Sequence, residues 1–454
     1  MSRSVQEKLG TLQITGDMVD LALDFDPDQA VRYLQALTQS NSFFWYLQEC
    51  FDEELRITPQ HDEAAQKVLR RRQMKLLKER AQAMGVAEPA IHRWLNGSID
   101  LHSGKSDWVQ ELGFDPTREN LYQLCGLLGF DREKTESFFR RAAFYAPWNR
   151  KSWRELVYLF FISQDPEHWY AESARLIGEI EPQMQERPDP SHGQTEADVL
   201  LETCEIDQQL QALLSGRVTQ QTKEAFRAFL LDHRDTFRPE HLRYTASQEI
   251  LALFEASQPY VLGEVQSALR LGRMDGKRGE DLLSGEPSAN TVFTVLLEGV
   301  LPEEDASPIA AVGPLPRPLR LRRRELCKDM VKIHRRLLEA EAESREEAVS
   351  DTRLRKLLLL LNFYYFYAQC RQMRCGRANR QCPEAGYQLL ADQEEDYSDC
   401  FQEFCDVTNR SLRETGFCAL YEGNGLDCLF LLAAHTRQPL RALRAIVRQG
   451  AGGM

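Results

Sequence analysis

The sequence predicts an all-α, multi-domain protein, and three observations lead there. Apolar residues recur mostly three and four apart, as in Val31, Leu34 and Leu37 and then Phe43, Phe44, Leu47, Phe51 and Leu55, which is the spacing of a helix with one buried face. Runs that alternate apolar with polar residues, the mark of a half-buried strand, are nearly absent. At 454 residues, 43% hydrophobic and 28% charged, the chain has the composition of a globular protein and length for about three ordinary domains.

Two stretches interrupt the helical pattern. Glu181 to Asp198 is rich in Pro, Asp, Ser, His and Gly, and Pro302 to Pro318 holds five prolines, so both read as linkers. They predict a helical segment over 1–60, a helix-turn-helix-like domain over 61–180, a linker over 181–200 and a middle helical domain over 201–301. A Pro/Arg-rich linker over 302–324, a C-terminal helical domain over 325–449 and a fraying tail over 450–454 complete the division.

The helix-turn-helix expectation rests on Leu77 to Gly97, which fits two short helices joined by a tight turn. Ala81 is small where the helices would cross, and Gly85 can take the left-handed conformation the turn needs. Val86, Ile91 and Trp94 would fill the wedge. Arg70, Arg71, Arg72, Lys75, Lys78 and Arg80, set against Glu79, place a basic face just before and within the first helix, where a phosphate-gripping surface would sit. The whole chain carries a net charge of -13, so nucleic-acid binding would have to come from such a local patch. A second patch, Arg317, Arg320, Arg322, Arg323 and Arg324, is interleaved with Leu315, Leu319 and Leu321. It reads as a solvated linker, or as a contact for nucleic acid or an acidic partner. Beyond it, Leu326, Met330, Ile333, Leu337 and Leu338 make the stripe of a surface helix with one buried face.

Both ends of the protein carry a related pattern. Phe139 to Trp148 aligns without a gap on Leu412 to Tyr421, and Trp153, Leu156, Val157 and Leu159 then fall opposite Leu426, Leu429, Phe430 and Leu432. Each copy reads as helix, aromatic-rich turn and apolar helix.

Signals for chemistry are weak. Seven of the eleven cysteines lie between Cys370 and Cys428, but without the close C-x2-C pairs of structural zinc, and the first histidine among or after them is His435. Reduced thiols packed as small hydrophobes are expected, with no metal and no cofactor. Gly272 to Arg278 faintly suggests a phosphate loop, but its glycine spacing is one residue short and Arg278 stands where a Ser or Thr should be. Patterns of hydrolases, zinc proteases and dinucleotide enzymes are missing, so no enzyme activity and no catalytic residue are expected. The first eight residues lack the apolar core of a secretory signal. The longest apolar run, Leu357 to Ala368, is too short to span a bilayer and carries Asn362, so a cytoplasmic protein without a membrane helix is expected.

With those residues in view, Leu77 to Gly97 resembles the helix-turn-helix of the Cro/C1 repressor class, the XRE family. Arg118 to Thr135 resembles that family's next helices. The region from Ala142 to Asn149 is similar to the tail of its long, uncharacterised bacterial members. The resemblance covers about a quarter of the chain. It implies a DNA-binding transcriptional regulator, dimeric and bound to double-stranded DNA. The helix around Glu88 to Asn96 would lie in the major groove, with Glu88, Pro89, His92 and Arg93 toward base edges and Asn96 and Gly97 near the backbone. Arg93 would be the main reader, offering two donors to guanine. The sequence departs from the family at Arg80, which replaces an apolar residue, at Glu88, and in the longer segment 98–117. The alternative is an all-helical interaction scaffold or adaptor for a protein partner, with a vestigial helix-turn-helix, in which Trp153 to Ile162 and Leu357 to Tyr367 build docking surfaces or cores.

Overall fold

The computed structural model describes residues 22, 25–40, 50, 63–84, 117–143, 145–149, 152–163, 168–185, 208–214, 219–234, 241–270, 276–283, 288–300, 313–316, 319–338, 349–379 and 397–450. Among them 82% are helical and there is no strand, so the protein is all-α. No described helix is long and apolar enough to cross a membrane. The helices fall into two compact units, each taken by itself below. Helix α1, Pro27–Ser40, belongs to the second.

The first unit contains α2 (Glu63–Ala83), α3 (Arg118–Leu128), α4 (Arg132–Phe138), α5 (Trp153–Ile162), α6 (Trp169–Gln185) and α7 (Gln220–Asp232). Local chemistry sets the helix ends. The Thr117 hydroxyl caps α3 by accepting from the Asn120 amide, and Gly129, at φ +70°, stops it in the left-handed conformation that costs glycine least. Asp131 caps α4 through the Lys134 amide, after which the chain widens into a π turn over Phe139–Ala143. Helix α5 is buried on every side, which is why Trp153 to Ile162 reads as one apolar block. Phe160 of α5 stacks on Phe226 of α7 at 4.2 Å, and the Trp169 indole donates to the Phe130 carbonyl.

The second unit holds α1, α8 (His241–Arg270), α9 (Gly276–Leu283), α10 (Ala289–Glu298), α11 (Arg323–Leu338), α12 (Asp351–Asn379), α13 (Phe401–Glu414), α14 (Gly425–His435) and α15 (Pro439–Gln449). Helix α12 is its axis: Leu357 to Leu361 are fully buried, and Phe363 meets Phe404 of α13 and Phe430 of α14. Arg444 of α15 donates to the Glu264 carboxylate on α8 and to the Val295 carbonyl on α10, tying three helices together. Both segments that could have been docking surfaces or cores, Trp153 to Ile162 and Leu357 to Tyr367, are largely core.

The Pro/Arg-rich stretch differs from a solvated linker where it is described. Leu315, Leu319 and Leu321 are buried, the Leu315 amide donates to the Gly450 carbonyl, Gln35 donates to the Gly313 and Pro314 carbonyls, and Lys356 donates to the Arg320 carbonyl. Its leucines, spaced between arginines, are anchors for an irregular strap over α1, α12 and the end of α15.

Helix α11 buries Leu326, Met330 and Ile333, as a surface helix should, and with them Asp329. The Asp329 Oδ2 meets Arg353 Nε at 3.0 Å while its Oδ1 has no hydrogen-bond partner. Burial pushes this carboxyl above its ordinary value, against the opposing pull of Arg353 and Lys332, with Glu325 adding to the rise and Lys356 opposing it. An acid whose folded value is raised is penalised when ionised, so wild-type stability should fall as pH rises from the usual aspartate range through the raised value. Asp329→Asn is therefore expected to melt higher than wild type at pH 7. The difference should disappear near pH 4, and thermal melts at both pH values check it.

Candidate nucleic-acid interface

Helix α2 carries the basic residues picked out in the sequence. It runs as one 21-residue helix, so Leu77 to Ala83 is its last third and not a separate short helix. Leu77 and Ala81, one turn apart, are buried, and the methyl end of Met84 reaches Gly126 on α3, where Tyr170 leaves no room for a side chain. Arg80, which departs from the apolar residue expected, is satisfied: its Nη1 donates to the Leu127 carbonyl at 2.9 Å and closes the open end of α3.

On another side of α2, Arg71 and Lys75 are exposed and Lys78 is half-buried. The spacing of four and three puts them on one stripe, roughly a third of a turn from Leu77 and Ala81. Lys75 makes an exposed pair with Glu79 at 3.9 Å, a contact worth little in water. Arg70 and Arg72 lie in the same helix, with only their helical positions described. His92, Arg93 and Asn96, together with the Gly85 turn, lie outside the described residues.

The first unit also holds a buried ion pair whose two members are remote in sequence, so no local pattern marks it. Arg118, at the start of α3, grips Glu155 of α5 with two donors at 2.6 Å each and gives a further bond to the Ala146 carbonyl. Glu155 also accepts from the Tyr122 hydroxyl and the Asn149 amide. The Tyr122 hydroxyl in turn accepts from the Trp148 amide, holding Trp148 at φ +62°, a conformation strained for a large side chain. Burial pulls the Arg118 pKa down, but Glu155 more than offsets this and leaves it above its ordinary value, so the guanidinium stays charged. Burial, and after it Glu155, pushes Tyr122 well up, so the phenol keeps its proton.

The second unit contains the same node. Arg355 of α12 meets Asp427 of α14 with Nη2 at 2.6 Å and Nε at 3.3 Å, and donates from Nη1 to the Cys418 carbonyl. Asp427 accepts from the Tyr421 amide. Thus Ala146 and Cys418, Asn149 and Tyr421, and Glu155 and Asp427 do equivalent work, and all three pairs are separated by the same number of residues. The helix caps Ser152 and Asn424 keep that separation, as do the rings under the two guanidinium groups, Tyr145 and Phe417.

Upstream of the turn the separation is one residue longer. Glu136 and Asn409 each reach across to the turn, one accepting from the Trp148 indole and the other from the Leu420 amide. The Tyr145 amide bonds back to Phe139, whereas Phe417 bonds back to Leu412, one residue nearer. The π turn at Phe139–Ala143 absorbs the extra residue. The ungapped alignment is therefore corrected after the turn: Trp153, Leu156, Val157 and Leu159 stand opposite Gly425, Cys428, Leu429 and Leu431.

Among the described residues no three His, Cys, Asp or Glu side chains gather as metal ligands. Burial pushes the Cys405 thiol up to about 12, with Asp406 adding to the shift, and raises Cys125 and Cys428 as well, so these thiols stay protonated. No family model, curated protein or solved structure matches the chain.

Proposed function

We propose that the chain is a DNA-binding transcriptional regulator of the Cro/C1-like helix-turn-helix type. The observation that carries this reading is the basic stripe Arg71, Lys75 and Lys78 on α2, whose buried stripe Leu77 and Ala81 anchors it to the first unit. In this reading the stripe takes phosphates together with Arg70 and Arg72. Arg93 and His92 address bases, and Asn96 lies beside the backbone. No catalytic group, metal or cofactor has a part in it.

The test is a titration of the full chain against mixed genomic DNA fragments at several salt concentrations. Affinity should fall steeply with salt, and Arg71→Gln/Lys75→Gln should lower the slope of log K against log salt by about 2, since each phosphate contact contributes about 0.9. Arg93→Ala should lose sequence preference while keeping salt-sensitive binding. No binding even at low salt would sink the reading. A scaffold that binds a protein partner would then take its place, a reading favoured by the repeated helical unit with its duplicated buried ion pair.

A further inference from the structure

We propose that α11 in the second unit is a separate nucleic-acid contact, in which Arg324, Lys328 and Lys332 grip phosphates of one strand. The proposal rests on the reading that this chain binds nucleic acid, but not on the helix-turn-helix or on α2.

All three side chains are exposed and follow one another at intervals of four residues. They stand about 6 Å apart along the helix and drift only slowly around it. That spacing lets each take a different phosphate of a strand whose charges recur every ~3.4 Å of duplex axis. Val331 lies within the same face and is 64% exposed.

Pairing on the two sides of this face differs. Arg322 is paired with Glu325, and Arg323 with Glu298 and the Thr294 hydroxyl. Among the described residues Arg324, Lys328 and Lys332 have no hydrogen bond or ion pair, although the chain has 69 acidic residues against 56 basic ones. Like charges at i,i+4 repel on a helix; the neighbouring Asp329 carboxyl eases this at Lys332, and an outside anion would ease it along the whole stripe.

The occupant follows from what surrounds the charges. Peptides dock through an apolar groove, an open sheet edge or, for acidic and phosphorylated motifs, a compact arginine cluster. This face offers a single exposed valine and an extended row of cations, with Glu325 and its partner Arg322 at its edge. A row of exposed charges spaced along a helix matches a phosphate backbone, which is gripped by point contacts without regard to sequence.

The experiment measures binding of the full chain to a fluorescently labelled 30-base-pair duplex of mixed sequence across a salt series. Wild type is compared with Arg324→Gln/Lys328→Gln/Lys332→Gln, with the charge-preserving Arg324→Lys/Lys328→Arg/Lys332→Arg, and with Arg71→Gln/Lys75→Gln on α2. The neutral triple variant should lower the salt slope by roughly 2 to 3 and weaken binding at least tenfold at 0.1 M salt, while the charge-preserving one should bind as wild type does. Helical circular dichroism and melting confirm that each variant is folded.

An unchanged slope in the neutral triple variant overturns the α11 proposal and leaves the α2 reading standing if the α2 variant loses slope. Loss confined to the triple variant supports α11 and sinks α2. A wild type that binds no duplex at low salt overturns both. Equal displacement of the duplex by poly-glutamate, compared at equal charge, would overturn the assignment to nucleic acid.

Discussion

Replacing Arg355 with methionine is expected to lower the stability of the second unit by about 3–5 kcal/mol, the usual cost of leaving one partner of a buried ion pair uncompensated. Asp427 has no exposure, and the change would strip it of both guanidinium bonds and leave it only the Tyr421 amide, while the Cys418 carbonyl loses its donor. Burial raises the Asp427 carboxyl even with Arg355 beside it. Without the arginine the charged form is penalised further. The loss should therefore be largest at pH 7 and shrink as the pH falls and the acid takes up its proton. Arg355→Met/Asp427→Leu should recover most of the loss, because the isolated charge disappears with its partner. Urea unfolding followed by circular dichroism at pH 7 and pH 5 reads all three. A loss below 1 kcal/mol in the single variant would show that the pair does not hold the unit.

The matching change in the first unit, Glu155→Leu, is expected to cost a similar 3–5 kcal/mol, because one carboxylate there serves more donors. Arg118 would be left as a buried cation with only the Ala146 carbonyl, and the Tyr122 hydroxyl and Asn149 amide would lose their acceptor. Trp148 should report the damage directly, since the Tyr122 hydroxyl that holds its amide is itself fixed by Glu155. The described tryptophans, Trp148, Trp153 and Trp169, all lie in the first unit, so the variant should shift the tryptophan fluorescence transition in urea. Arg355→Met should instead leave the part of the fluorescence change that comes from Trp148, Trp153 and Trp169 in place while shifting the circular dichroism transition. Glu155→Gln, which keeps an acceptor oxygen but not the charge, should lose less than Glu155→Leu; equal losses would contradict the part assigned to those hydrogen bonds.

Much of the fold was legible because helical periodicity survives wherever a helix has one wet face. Helix α11 is such a case, with Leu326, Met330 and Ile333 read as a buried stripe and found as one. The one-residue slip in the repeat was not legible, for a physical reason. Helices α5 and α14 are buried on all sides, so apolar residues match equally well in either register, and only the carboxylates Glu155 and Asp427 fix it. No local pattern marks those carboxylates, because their partners, Arg118 and Arg355, are remote in sequence. The strap, described at 313–316 and 319–322, misled for the opposite reason: prolines and arginines dominate the composition of this stretch, but its three leucines are what it buries. Of the candidate interface, the stripe Arg71, Lys75 and Lys78 could be read from spacing, whereas the satisfied state of Arg80 depends on a carbonyl far along the chain.

The π turn has a practical consequence for anyone grafting one unit's helices onto the other. A cut made upstream of Phe139 and a cut made downstream of Tyr145 need different partner positions, because the spare residue lies between them. A chimera joined on the ungapped numbering would deliver the incoming carboxylate about 1.5 Å off along the helix and about 100° around it, out of reach of its arginine. Joined with that one residue removed, it would arrive in phase, and the transplanted helix would bring its own counter-ion to a waiting guanidinium.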